Sequence, residues 1–94
     1  MFESCGYTID FHYFNYANNP LPVGHDALAQ AGIQCTLTDS NGNSYYGDSY
    51  CSVNDDFDQT YGEELALMRV MNTLQLDDDT RNQMWSDYDQ WVGK

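Results

Sequence analysis

Positive charge is nearly absent from this chain. Lysine and arginine together number three, at Arg69, Arg81 and Lys94, whereas aspartate and glutamate number fifteen, so the formal net charge is −12 over 94 residues. A protein that binds nucleic acid needs lysine and arginine to neutralise phosphates, and an anionic lipid surface would repel this one. The charge balance therefore argues against direct nucleic-acid or membrane binding and favours a cationic partner.

Other absences narrow the class of protein. No apolar run approaches the ~18 residues of a membrane-spanning helix, and residues 1–5 lack the basic and apolar regions of a signal peptide. Three cysteines are an odd number, which argues against a disulfide framework. We therefore expect a cytoplasmic protein.

No motif indicates an enzyme. The chain has neither a glycine-rich phosphate loop nor a Gly-x-Ser-x-Gly turn, and it has almost no cation to stabilise an oxyanion. The cysteines and histidines lack the spacing of a zinc site. We predict no catalytic residue, metal or cofactor. A Cys–His nucleophile pair stays an alternative that the sequence does not locate.

The residues that are present predict a single α+β domain over residues 1–94. Hydrophobic residues make up 41% of the chain, too many for a disordered acidic tail. Residues 7–14 alternate apolar and polar side chains, and residues 33–38 and 45–53 indicate two further strands. We expect these segments to form a three-stranded antiparallel sheet.

The loop between the last two strands decides which side chains face the core. Its Asn-Gly pair predicts a hairpin, with an odd-length loop and a bulge at Gly42. This register turns Tyr46, Asp48 and Tyr50 outward. The inner face is then formed by Ile33, Cys35, Leu37, Tyr45, Gly47, Cys51 and Val53.

Two to three helices are expected on one face of the sheet. Residues 24–31 predict a short helix that stops at Gly32. The main helix begins at Asp58 or Thr60, and Thr60 with Glu63 fits a capping box. A last helix begins at residues 77–80, where Asp77 and Arg81 have the spacing of an ion pair. Its predicted buried stripe is Met84, Trp85, Tyr88, Trp91 and Val92.

The carboxylates are the candidate binding groups. Aspartate favours helix caps and turns, which accounts for several positions but not for the shortage of lysine and arginine. Carboxylates in rows at phosphate-like spacing would let the protein occupy a cationic channel that otherwise holds nucleic acid, through charge-assisted hydrogen bonds to arginine. The residues predicted to contact the partner are Asp55, Asp56, Glu63, Asp77, Asp78, Asp79, Asp87 and Asp89.

The predicted hairpin end over residues 51–58, followed by Gly-Glu-Glu-Leu-Ala-Leu at residues 62–67, resembles small phage-encoded proteins. With its size and charge, the chain is similar to the acidic anti-CRISPR proteins, some of which mimic DNA, and to the type I inhibitors in particular. The resemblance implies a monomer that covers the basic DNA-binding surface of a host CRISPR effector complex and blocks target DNA. No catalytic or binding residue carries over by motif.

Two other functions agree with the same composition. One is an acidic structural or assembly protein of a phage, which would dock a partner through the open face of its sheet. The other is an immunity protein or antitoxin that neutralises a basic nuclease.

Overall fold

In the computed structural model, residues 1–24 and 27–93 are described. They form a five-stranded antiparallel sheet and two helices, which confirms the predicted α+β class with more strands than expected. The elements are β1 (Phe2–Ser4), β2 (Tyr7–Asn15), β3 (Leu21–Gly24), β4 (Ala27–Thr38), β5 (Ser44–Ser52), α1 (Gln59–Leu74) and α2 (Asp78–Val92).

The long strand β4 is the centre of the sheet. On one edge it pairs with β2 along residues 31–38, and β3 continues that edge along residues 27–29. On the other edge it pairs with β5 from Ala29 to Thr38. β1 pairs with the free side of β2. β2 and β3 are therefore two segments that follow the same edge of β4.

The helix predicted over residues 24–31 is wrong. Residues 27–31 belong to β4, Gly24 ends β3, and Gly32 lies inside β4, opposite Phe14 and Tyr50; residues 25 and 26 lie outside the described residues. An alanine-rich segment favours a helix. Here strands on both edges form hydrogen bonds with its backbone, and Ala29 is buried. Strand pairing therefore overrides the local preference for a helix.

The predicted odd-length loop between β4 and β5 is present. The Asp39 carbonyl accepts from the Gly42 amide at 3.1 Å, and the Asp39 amide donates to the Asn43 carbonyl at 2.9 Å. Gly42 has a φ of 85°, a left-handed conformation that glycine adopts without steric cost. This loop sets the register in which Leu37 pairs with Tyr45.

The register confirms that Tyr46, Asp48 and Tyr50 face away from the helices, because they pair with β4 residues that alternate with the buried ones. Ser49, not predicted for the inner face, is buried there and donates to the Gly62 carbonyl at 2.7 Å. Val53 lies beyond the end of β5 and is exposed, so its predicted place in the core is wrong.

Both helices pack on one face of the sheet. The shared core consists of Ile9, Phe11, Ile33, Cys35, Leu37, Ala66, Leu67, Val70, Met71, Met84 and Tyr88. Two members of the predicted α2 stripe, Met84 and Tyr88, are fully buried, whereas Trp91 stays partly exposed against Phe2 and Phe11.

The backbone of α1 lies close to β5 at Gly47. A Cβ atom on Gly47 would lie 2.3 Å from the Ala66 carbonyl oxygen and 2.5 Å from the Val70 amide nitrogen. Both are backbone atoms of α1, so a side chain at this position would push the helix off the sheet. This contact fixes the height of α1 above β5.

No helix in residues 1–24 or 27–93 combines the length and the apolar character needed to cross a membrane.

Candidate functional site

Aspartates at the two helix starts are held in fixed positions. Asp58 is the N-cap of α1 and accepts from the Tyr61 amide at 3.0 Å, which confirms one of the two predicted starts. Asp77 is the N-cap of α2 and accepts from the Thr80 amide at 2.8 Å. Hydrogen bonding from Thr80 lowers the pKa of Asp77, so this carboxylate is charged at neutral pH.

The exposed aspartates form two separate groups. The Asp55 cluster (Asp55, Asp56 and Asp58) precedes α1, and the Asp77 cluster (Asp77, Asp78 and Asp79) lies at the start of α2, and all six side chains are exposed. Because α1 has 16 residues, its length separates the two clusters by about 24 Å. The predicted contact residues therefore do not form one continuous patch.

The prediction that Glu63 faces outward and forms a capping box with Thr60 is wrong. α1 begins at Gln59, so Glu63 lies beyond its first turn and is only 2% exposed. Tyr88 donates its hydroxyl to Glu63 Oε1 at 2.8 Å, and Tyr13 donates to Oε2. A buried carboxylate needs such donors. Glu63 therefore joins β2, α1 and α2.

These contacts change the acidity of both tyrosines. Burial, together with the hydrogen bond to Glu63, raises the pKa of Tyr13 to about 12. The same two causes raise the pKa of Tyr88 above its ordinary value. Both hydroxyls therefore remain protonated donors at neutral pH, which is the state that Glu63 requires.

Asp87 and Asp89 are half-buried. Asp87 accepts from Ser4 Oγ at 2.6 Å and from Gln83 Nε2 at 2.9 Å. Since Ser4 is itself buried, Asp87 attaches α2 to β1. These two aspartates are less open to a partner than the two clusters are.

Both described arginines bind backbone carbonyls of the fold. Arg69 Nη1 donates to the Asp48 carbonyl at 2.6 Å. Arg81 Nε donates to the Leu76 carbonyl at 2.7 Å, close to the end of α1, where carbonyls lack helical partners. The predicted ion pair between Asp77 and Arg81 is wrong, because each side chain has these other partners and no ion pair joins them.

The cysteines are free and occupy different environments. Cys35 is buried, Cys51 is half-buried and Cys5 is exposed. Burial raises the pKa of the Cys35 thiol, which makes a thiolate nucleophile unfavourable there. Over residues 1–24 and 27–93, no set of three or more histidine, cysteine, aspartate or glutamate side chains is placed to hold a metal ion.

A cleft adjoins the Asp55 cluster, between the end of β5, the loop over residues 53–58 and the start of α1. Its volume is about 190 Å³, and Phe57 and Tyr61 line it together with the three aspartates of that cluster. Of the residues around this cleft, the sequence predicted contacts at Asp55 and Asp56 but not at Asp58, Phe57 or Tyr61. The alternation of aromatic and acidic residues over 55–61 was the available signal.

No protein-family model, curated protein or solved structure matches this chain, so a proposed function depends on the arrangement of its own residues.

Proposed function

We propose that this protein is an inhibitor that covers the cationic, nucleic-acid-binding surface of a partner protein and thereby excludes the nucleic acid. The observation that carries the proposal is the pair of exposed aspartate clusters at opposite ends of α1. The described arginines, which could have neutralised them, donate to backbone carbonyls instead.

The two clusters would act on separate parts of the partner. At physiological salt, charges separated by more than about 8 Å are largely screened from one another. The clusters lie about 24 Å apart, which corresponds to about seven base pairs of DNA at ~3.4 Å each. A suitable partner therefore has two patches of lysine or arginine that contact phosphates about seven base pairs apart.

The rigidity of the clusters supports recognition of a defined surface. Asp58 and Asp77 are fixed by capping hydrogen bonds, and Asp78 and Asp79 lie in the first turn of α2. Groups that are already ordered lose little conformational entropy on binding. Given the resemblance to acidic anti-CRISPR proteins, the candidate target is the DNA-binding surface of a type I surveillance complex in a bacterial cytoplasm.

The test is displacement of labelled target DNA from a purified type I surveillance complex, followed by fluorescence anisotropy. Two triple variants neutralise one cluster each: Asp55→Asn with Asp56→Asn and Asp58→Asn, and Asp77→Asn with Asp78→Asn and Asp79→Asn. Each removes three negative charges from the −12 of the chain, and asparagine preserves both helix caps. We expect each variant to displace DNA less effectively.

The matched control is a third triple variant, Asp10→Asn with Asp39→Asn and Asp48→Asn, which removes the same charge away from both clusters. If the clusters are the contact sites, this control keeps most of the inhibitory activity. Equal losses in all three variants would mean that only net charge matters, and the proposed contact sites would be wrong.

A further inference from the structure

We infer that the cleft beside the Asp55 cluster receives a single arginine side chain of the partner. The inference rests on the proposed function, since that function supplies a cationic partner. It adds a defined contact to an otherwise diffuse electrostatic attraction.

The cleft combines two aromatic walls with a negative rim. Phe57 is 45% exposed and Tyr61 is 63% exposed. They meet at one concave place that also includes the Asp55 cluster. A cation is attracted to the face of an aromatic ring and to carboxylates, so the two kinds of lining favour the same occupant.

The cleft exists before a partner binds. Gln30 Nε2 donates to the Ser52 carbonyl at 3.0 Å and to the Asp55 carbonyl, and the Val53 amide donates to the Leu28 carbonyl at 3.1 Å. These bonds hold the loop over residues 53–58 against β4. An occupant therefore does not have to order the loop, which favours binding of a small group.

Neither described arginine fills the cleft, because Arg69 donates to the Asp48 carbonyl and Arg81 donates to the Leu76 carbonyl. Arginine suits the cleft better than lysine does. The guanidinium is planar, stacks on aromatic rings and donates to a carboxylate through two parallel N–H groups, whereas the ammonium of lysine is compact and strongly hydrated.

The test uses a peptide of one positive charge, acetyl-Gly-Arg-Gly-amide, added to isotopically labelled protein and followed by amide chemical shifts. Saturable shifts are expected at residues 49–62. The matching citrulline peptide, a neutral analogue of similar shape, should bind at least about ten-fold more weakly, because a hydrogen bond to a charged group contributes at least ~1.5 kcal/mol. The lysine peptide should also bind more weakly than the arginine peptide.

Substitutions then assign the site. Tyr61→Ala removes an exposed wall without touching the core and should weaken binding by about two- to five-fold. The triple variant of the Asp55 cluster should weaken it further, whereas the triple variant of the Asp77 cluster should leave it unchanged. Unaltered amide shifts away from the cleft would confirm that each variant is folded.

Three results would each overturn the inference: equal shifts at both clusters, equal affinity for the citrulline peptide, or no effect of Tyr61→Ala. This outcome is separable from failure of the proposed function, because the peptide experiment contains no partner. A protein that displaces DNA but does not bind the peptide at the cleft keeps its proposed function and loses this contact. A protein that binds the peptide but displaces no DNA loses the proposed function alone.

Discussion

The burial of Glu63 beneath Tyr88 leads to a specific prediction about stability. Tyr88→Phe removes the hydroxyl that donates to Glu63 Oε1 and keeps the buried ring. Because Tyr88 is 0% exposed and Glu63 is 2% exposed, water cannot replace the lost donor. Loss of a hydrogen bond to a charged group costs about 1.5–3 kcal/mol. We expect the free energy of unfolding to fall by about 2–3 kcal/mol.

Tyr13→Phe is the matched control for this prediction. Tyr13 donates to the other oxygen of the same carboxylate, but its side chain is 48% exposed. Water can take the place of its hydroxyl, so the expected loss is below about 1 kcal/mol. Urea unfolding can be followed by tryptophan fluorescence, since the rings of Trp85 and Trp91 lie 6.0 and 6.3 Å from that of Tyr88. Equal losses in the two variants would mean that burial of the hydroxyl does not set the cost of removing it.

Three further predictions concern the fold. Gly47→Ala should lower the free energy of unfolding, measured in urea, by about 3 kcal/mol because its Cβ would strike the α1 backbone. The control is Gly24→Ala, whose Cβ meets nothing within 4 Å. It should change the free energy of unfolding by less than about 1 kcal/mol. Because folding raises the pKa of Tyr13 to about 12 and also raises that of Tyr88, the stability they contribute is complete below about pH 10, and the part due to Tyr13 is lost as the pH rises through 12. Urea unfolding between about pH 9 and pH 12 should show this decline, and a smaller one after both tyrosines become phenylalanine. Asp77→Ala should cost about 1 kcal/mol in thermal unfolding, whereas Asp77→Asn keeps the cap; equal costs would contradict the capping role.

Features set by a few neighbouring residues could be predicted from the sequence. The alternation over residues 7–14 is present as β2, and the Asn-Gly pair forms the loop that places Tyr46 and Tyr50 outward. The helix starts at Asp58 and Asp77 also follow local rules, because a cap needs only one side chain and the next few amides. The sequence therefore predicts where both aspartate clusters lie.

Features set by contacts between distant segments could not be predicted. Residues 27–31 favour a helix by composition but lie in a strand, because β3 and β5 pair with them on opposite edges. Glu63 was predicted to lie three residues after a cap at Thr60, but α1 uses Asp58 as its cap. Its burial depends on Tyr13 and Tyr88, which lie 50 and 25 residues away along the chain. The cleft likewise forms only when the loop over residues 53–58 is held against β4.

The proposed function requires that this protein and nucleic acid compete for one cationic surface. Its most direct test is the affinity of the protein for a purified type I surveillance complex, measured with and without saturating target DNA at about 50 mM and about 300 mM salt. If the two compete, DNA abolishes binding and the higher salt weakens it steeply. A complex that holds DNA and this protein together with unchanged affinity would rule out competition for one surface.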